Sequence, residues 1–175
     1  YAAWWLGRTR SVHPQAGPLL IAALQEAIDT PSDPEALYVA RNSARALGKL
    51  KAAEAVGTLL QGLNHHDHDL REACSRSLGE TGETQALGAL RKRLERPEAG
   101  CAAQQHDARL QEPCEALLEA IGTLARGRLD PDLCAALLPW SQHERPQVRS
   151  AACRALLQIS GETRWGETML ELLED

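Results

Sequence analysis

ARNSARALG, residues Ala40–Gly48, is the stretch that decides the fold. Small residues lead into Leu47 and then Gly48, and the chain returns to this order in four other places. These are YAAWWLG (Tyr1–Gly7), LREACSRSLG (Leu70–Gly79), PCEALLEAIG (Pro113–Gly122) and VRSAACRALL (Val148–Leu157). Recurrence at a near-fixed helical period marks a solenoid, in which each unit buries its apolar face only against its neighbours. Such a stack offers a long groove, so function is sought in the copy that departs from the pattern. That copy is the first.

Between the repeated segments lie second helices with apolar residues at 3.6-residue spacing. Their stripes are Leu19, Leu20, Ala23, Leu24 and Ala27; Val56, Leu59, Leu60 and Leu63; Leu87, Leu90 and Leu94; Leu133, Leu137 and Leu138; and Met169, Leu170, Leu172 and Leu173. Turn residues stand where the helices must reverse, at Pro31–Pro34, Asn64–Asp67, Thr81-Gly82, Asp130-Pro131 and Glu144–Pro146. The expected unit is an outer helix, a short turn and an inner helix carrying the repeated segment. The expected fold is all-α: a curved solenoid of about five helix pairs. It forms one domain over residues 1–175, which can lack its N-terminal helix, since the chain opens without Met inside a copy. Arg96–Gln111 reads as a polar insertion before the fourth inner helix. Asp67 is placed to cap the third, with Arg71 at ion-pair spacing.

Composition removes several function classes. Hydrophobic residues make up 43% of the chain, enough for a core, but aromatics only 3% with no Phe, so Leu, Ala, Val and Ile must fill it. A formal charge of −5 argues against general nucleic-acid binding, which needs a basic stripe. No apolar run nears the ~20 residues that span a bilayer. Cys74, Cys101, Cys114, Cys134 and Cys153 make no CxxC pair and no even disulfide framework, which points to a reducing compartment. Cys101 is the most reactive candidate thiol. His65, His66 and His68 with Asp67 and Asp69 lie in a turn entering a helix; they read as a solvated, capped turn, and no metal site is expected.

The first copy has Trp4-Trp5 where the others have Arg45-Ala46, Arg76-Ser77, Glu119-Ala120 and Arg154-Ala155. Neighbouring helical residues point about 100° apart, so both indoles cannot enter one core slot. One can replace the small core residue while the other faces the groove near Tyr1, forming an aromatic wall for a flat conjugated ligand. The competing reading packs both against a preceding helix. Arg41 and Arg45, one turn apart with Asn42 beside them, form a second set. Arg suits carboxylates held in a fork, and the alternative is pairing with acids of adjacent repeats. One of the two is expected in each role.

The unit resembles the HEAT repeat in its short, Gly-terminated form, over almost the whole chain. YAAWWLG with Arg8, together with His13–Ala27 and Val39–Val56, resembles the E-type subunit of the E/F clan of phycobilin lyases. That resemblance implies an enzyme subunit that binds a phycobilin, such as phycocyanobilin, as substrate with no permanently bound cofactor. It would promote thioether attachment to a phycobiliprotein cysteine. Tyr1, Trp4 and Trp5 would handle the chromophore, and Arg41, Asn42 or Arg45 would meet a propionate. The implied partners are an F-type lyase subunit and the phycobiliprotein acceptor. The implied setting is the cyanobacterial cytoplasm or the plastid stroma, with no nucleic acid and no membrane insertion. The alternative is a non-catalytic HEAT scaffold or chaperone-like binder of phycobiliproteins, including an adaptor for phycobilisome degradation. An Asn-His-Cys motif tied to bilin isomerisation in F-type relatives is absent, because Asn64-His65 is followed by His66.

Overall fold

The computed structural model describes residues 1–9, 13–30, 34–95 and 113–171, with backbone alone for 168–171. The Pro31 end of the first turn, the Arg96–Gln111 insertion, Cys101 and the Met169–Leu173 stripe lie outside the side chains so described. The helices are α1 (Ala2–Thr9), α2 (Ala16–Asp29), α3 (Pro34–Leu50), α4 (Val56–Gly62), α5 (His68–Thr81), α6 (Leu87–Leu94), α7 (Cys114–Leu124), α8 (Pro131–Leu137), α9 (Pro146–Ser160) and α10 (Arg164–Glu171). Short 3₁₀ turns lead into α4 and α6 and follow α8. There is no strand among the described residues.

The odd-numbered helices stack in order, α1 on α3, α3 on α5, α5 on α7 and α7 on α9. Each carries one repeated segment. Helices α2, α4, α6 and α8 pack on the inner helix that follows each of them, and α10 folds back onto α9. Among the described residues of the outer helices, only those of α2 and α4 pack extensively on one another. A tightly stacked inner row beside a looser outer row curves the array toward the inner row.

The repeated glycine sets that tight spacing. A Cβ on Gly7 would lie 2.8 Å from Ala46 Cα, on Gly48 2.7 Å from Ser77 Cα, on Gly79 2.8 Å from Ala120 Cα, and on Gly122 2.6 Å from Ala155 Cα. Every partner is the small residue two places before the next copy's glycine or its counterpart. The pattern of small residue, Leu or Ile, then Gly is therefore a ladder of backbone-to-backbone contacts. Ser77 adds a buried hydrogen bond, its Oγ donating to Ala44 O at 2.7 Å. These glycines act through close packing inside the helices, whereas the helix ends use Gly82 and Gly161 at φ 82° and 71°.

Between the rows the core is aliphatic, as a chain without Phe requires. Leu24, Leu47, Leu59, Leu78, Leu90, Leu117 and Leu156 are fully buried, each worth about 1.5–3 kcal/mol of transfer free energy. Leu19 and Leu138 depart from their expected stripes and are exposed. Both adjoin better-placed neighbours, Leu20 and Leu137, which take the core-facing direction. Cys74 and Cys153 are buried free thiols and Cys134 is a half-buried one. Cys114 is disulfide-bonded, its partner lying outside the described residues. That departs from the expectation that the cysteines form no disulfide framework.

The loop into α5 shows how the turns are built. Asp67 accepts a hydrogen bond from Leu70 N–H at 2.8 Å, capping the helix as expected. Arg71, one turn beyond Asp67, sends Nη1 to the carbonyls of His65 and His66 at 2.9 and 2.7 Å. Arg149 repeats the device on the carbonyls of His143 and Glu144. His65 is buried, not solvated, and its Nδ1 accepts from Asp67 N–H at 3.0 Å.

Candidate functional site

Helix α3 presents Tyr38, Asn42, Arg45 and Lys49 at steps of four, three and four residues, which is one continuous helical face. Helix α1 lies along it because Gly7 lets the two backbones approach at Ala46. Between them is a cavity of about 370 Å³ lined by Trp4 and that face of α3, with Ala3, Gly7 and Ala46 as its floor. Trp4 is 44% exposed, and Trp5, 55% exposed, meets it edge-on with centroids 5.4 Å apart and planes at 81°. The Arg8 guanidinium lies 5.1 Å from the centre of the Trp4 ring. Tyr38 is 58% exposed.

The two indoles have different surroundings. Trp4 lines the groove. Trp5 holds the small-residue slot yet stays open to solvent, because no described residue stacks on that face of α1 as Ala46 stacks beneath Gly7. Tyr1 is 98% exposed and lines no described cavity. Tyr38 and Lys49 were not singled out from the sequence, although their helical spacing relative to Asn42 and Arg45 was there to be read.

Arg41 and Arg45 separate cleanly. Arg41 Nε donates to Asp67 Oδ1 at 2.9 Å, and its Nη1 lies 3.2 Å from Asp69 Oδ2. It ties α3 to the cap of α5, and both partners and its hydrogen bond to Asp67 raise its pKa. Burial alone would raise the Asp67 pKa, but the hydrogen bonds from Arg41 and Leu70 N–H outweigh it and hold the carboxylate below its ordinary range. Arg45 forms no hydrogen bond or ion pair among the described residues. Asn42 donates from Nδ2 to Tyr38 O at 2.9 Å on its own helix.

Equivalent positions on the inner helices make a row: Trp4, Arg45, Arg76, Glu119, Arg154. Arg76 and Arg154 both pair with Glu119, and Arg76 also pairs with Glu72 at 3.0 Å. The distal half of the row is internally neutralised. Its proximal half offers an aromatic face and a free guanidinium.

Nucleophilic chemistry has little support among the described residues. Burial pushes the Cys74 thiol up to about 12, and burial also raises Cys134 and Cys153. His68, Asp69 and Glu72 bring ligand atoms within 4.8 Å of one another, but Asp69 already faces Arg41 and Glu72 faces Arg76. The arrangement is suited to holding a flat, anionic, conjugated molecule, not to attacking one.

Comparison with known proteins bears on which molecule that is. The family described as HEAT repeats matches residues 25–105, and the family described as PBS lyase HEAT-like repeat matches residues 1–26. The bilin biosynthesis protein RpcE of Synechococcus sp. (strain WH8020) is 41% identical over 99% of this chain and 65% of its own length. The phycocyanobilin lyase subunit alpha of Synechococcus elongatus is 39% identical over 100% of this chain and 62% of its own. A solved structure of the complex of CpcE and CpcF of phycocyanin lyase from Nostoc sp. PCC7120 superposes with a TM-score of 0.80. It shares 33% identity and is covered over 64% of the matched chain and 100% of this one. The chain is built of HEAT repeats and is similar to these phycobilin lyase subunits over nearly its whole length. The likeness read from YAAWWLG therefore stands as a finding, as does the all-α solenoid. The chain spans under two thirds of the length of these curated relatives. No helix among its described residues is long and apolar enough to cross a membrane.

Proposed function

We propose that the chain acts as the E-type part of a phycobilin lyase. It binds a linear tetrapyrrole such as phycocyanobilin and promotes its thioether attachment to a cysteine of a phycobiliprotein subunit. An F-type partner helps to enclose the chromophore, the setting is cytoplasmic, and the bilin is substrate, with no permanently bound cofactor. One observation carries this reading: the groove between α1 and α3, where Trp4 lines one cavity with Tyr38 and with Arg45, which pairs with none of the described residues.

The reaction adds an S–H bond across the exocyclic C=C of the bilin's first ring. The acceptor sulfur bonds to the outer carbon and a proton goes to the ring carbon, so nothing leaves and no oxidant is consumed. The acceptor brings the nucleophile, which fits the raised thiols of this chain. The lyase contributes by holding the chromophore extended against Trp4 and Tyr38 and presenting one edge to the acceptor. Fixing two reactants in this way removes much of the entropic part of the barrier. A cavity open along one side lets the acceptor reach the ring while the indole covers one of its faces.

The test is co-expression with a bilin-producing system, the F-type partner and the acceptor subunit. Trp4→Leu should reduce attachment about tenfold, the loss of one aromatic stacking partner, with helicity and melting temperature unchanged. Trp5→Leu should have a smaller effect. Unchanged attachment in a folded Trp4→Leu variant refutes the site. Acceptor binding without any chain-dependent attachment favours the scaffold instead.

A further inference from the structure

We infer that a second cavity, adjoining the first, is the carboxylate-binding end of the ligand groove, and that Arg8, Lys49 and Lys51 grip the ligand's carboxylate arms there. This rests on the reading of the Trp4 groove as a bilin site and specifies how that site takes an anionic ligand. The cavity has a volume of about 590 Å³ and runs over the bare backbones of Gly7, Gly48 and Gly79. It shares Gly7 and Lys49 with the aromatic cavity, so one elongated molecule can occupy both. The ladder glycines that let the inner helices close also leave a trench above them. Arg8 and Lys49 follow Gly7 and Gly48 directly in sequence and stand on its walls. Neither they nor Lys51 forms an ion pair among the described residues.

Lys51 supplies the independent observation. It has φ 53°, the left-handed region, and is the one described non-glycine residue with positive φ. It ends α3 in a Schellman turn, with Lys51 N–H donating to Gly48 O at 2.9 Å and Ala52 N–H to Leu47 O at 3.1 Å. Helices α5 and α9 place Gly82 and Gly161 at their left-handed ends, where a side chain costs stability. A lysine held there against that cost needs a reason, and Lys51 lines the trench. Interaction with the C-terminal ends of the helix dipoles accounts for cations at Arg8 and Lys49, but a glycine at 51 with a lysine one place away would serve it equally. Glu80, whose Oε2 reaches over Gly48, is the single acid among the described residues of the trench wall. It leaves an excess of positive charge for a dicarboxylate.

The experiment titrates the 175-residue chain with biliverdin and with biliverdin dimethyl ester at low salt, following the visible absorbance. Wild type should bind the free acid about tenfold more tightly than the diester. Lys51→Gly should raise the melting temperature by about 2–4 °C, since it relieves the left-handed strain. It should also weaken the free acid about threefold, with the diester unaffected. Lys49→Met with Lys51→Gly should cut the preference for the free acid to about twofold or less, with Arg8 the remaining cation. A stability gain and an affinity loss from one substitution cannot both come from a merely structural lysine. Equal binding of acid and diester by wild type, or an unchanged preference in the double variant, overturns the carboxylate assignment while leaving the aromatic site standing. Binding of neither compound removes the bilin reading and this inference together.

Discussion

Gly79→Ala tests the ladder on which the whole architecture depends. In an exposed helix interior, replacing Gly by Ala stabilises by about 1 kcal/mol, because Ala restricts the unfolded chain and suits the helix. At Gly79 the new Cβ would lie 2.8 Å from Ala120 Cα and 3.1 Å from Ala120 Cβ. Neither neighbour can swing away, since one is backbone and the other is fixed to it. Helices α5 and α7 must separate by several tenths of an ångström or more, loosening the Leu78 and Leu117 packing beside the contact. Overpacking of this kind costs about 1–3 kcal/mol, so the net expectation after the propensity gain is a loss of up to about 2 kcal/mol. For a chain of this size that lowers the melting temperature by up to about 8 °C. Gly88→Ala on α6 is the control, because nothing lies within 4 Å of its Cβ position. It should raise the melting temperature by about 2 °C. Circular dichroism at 222 nm with thermal and urea unfolding reads both. If Gly79→Ala stabilises as much as Gly88→Ala does, the close-packing account is wrong.

Arg41→Gln should cost about 1–2 kcal/mol, discounted for partial exposure, by leaving the half-buried Asp67 short of its cation. Arg45→Gln should leave urea unfolding unchanged yet weaken bilin binding severalfold; the reverse pattern would exchange their roles. His65 gives the pH dependence: burial and then the neighbouring His66 lower its pKa, so the folded state favours neutral imidazole. Stability should then decline as pH falls from about 6.5 toward the lowered value, because only the unfolded chain takes up the proton. His65→Asn should flatten that slope, and a slope unchanged between pH 5 and 7 would remove His65 from the account.

The array could be read from ARNSARALG and its copies because close helix stacking leaves a chemical trace. Only glycine and other small residues permit two backbones to touch, so their recurrence reports the contact before any fold is seen. The same holds for the aliphatic core, the cap at Asp67 and the exceptional Trp4-Trp5 pair, each a local requirement met by local residue types. What a residue faces across forty positions of sequence leaves no such trace. Arg41 and Arg45 are chemically alike and one turn apart, and only the docking of α5 against α3 engages the first with Asp67 and leaves the second open. Trp4 and Trp5 differ by one residue, and only the approach of α1 to α3 turns the first into the groove. The trench over Gly7, Gly48 and Gly79, with Lys51 held in a left-handed conformation at its edge, belongs to no single segment. It exists because three helices stack in register, and stacking in register is a property of their packing rather than of any one of their sequences.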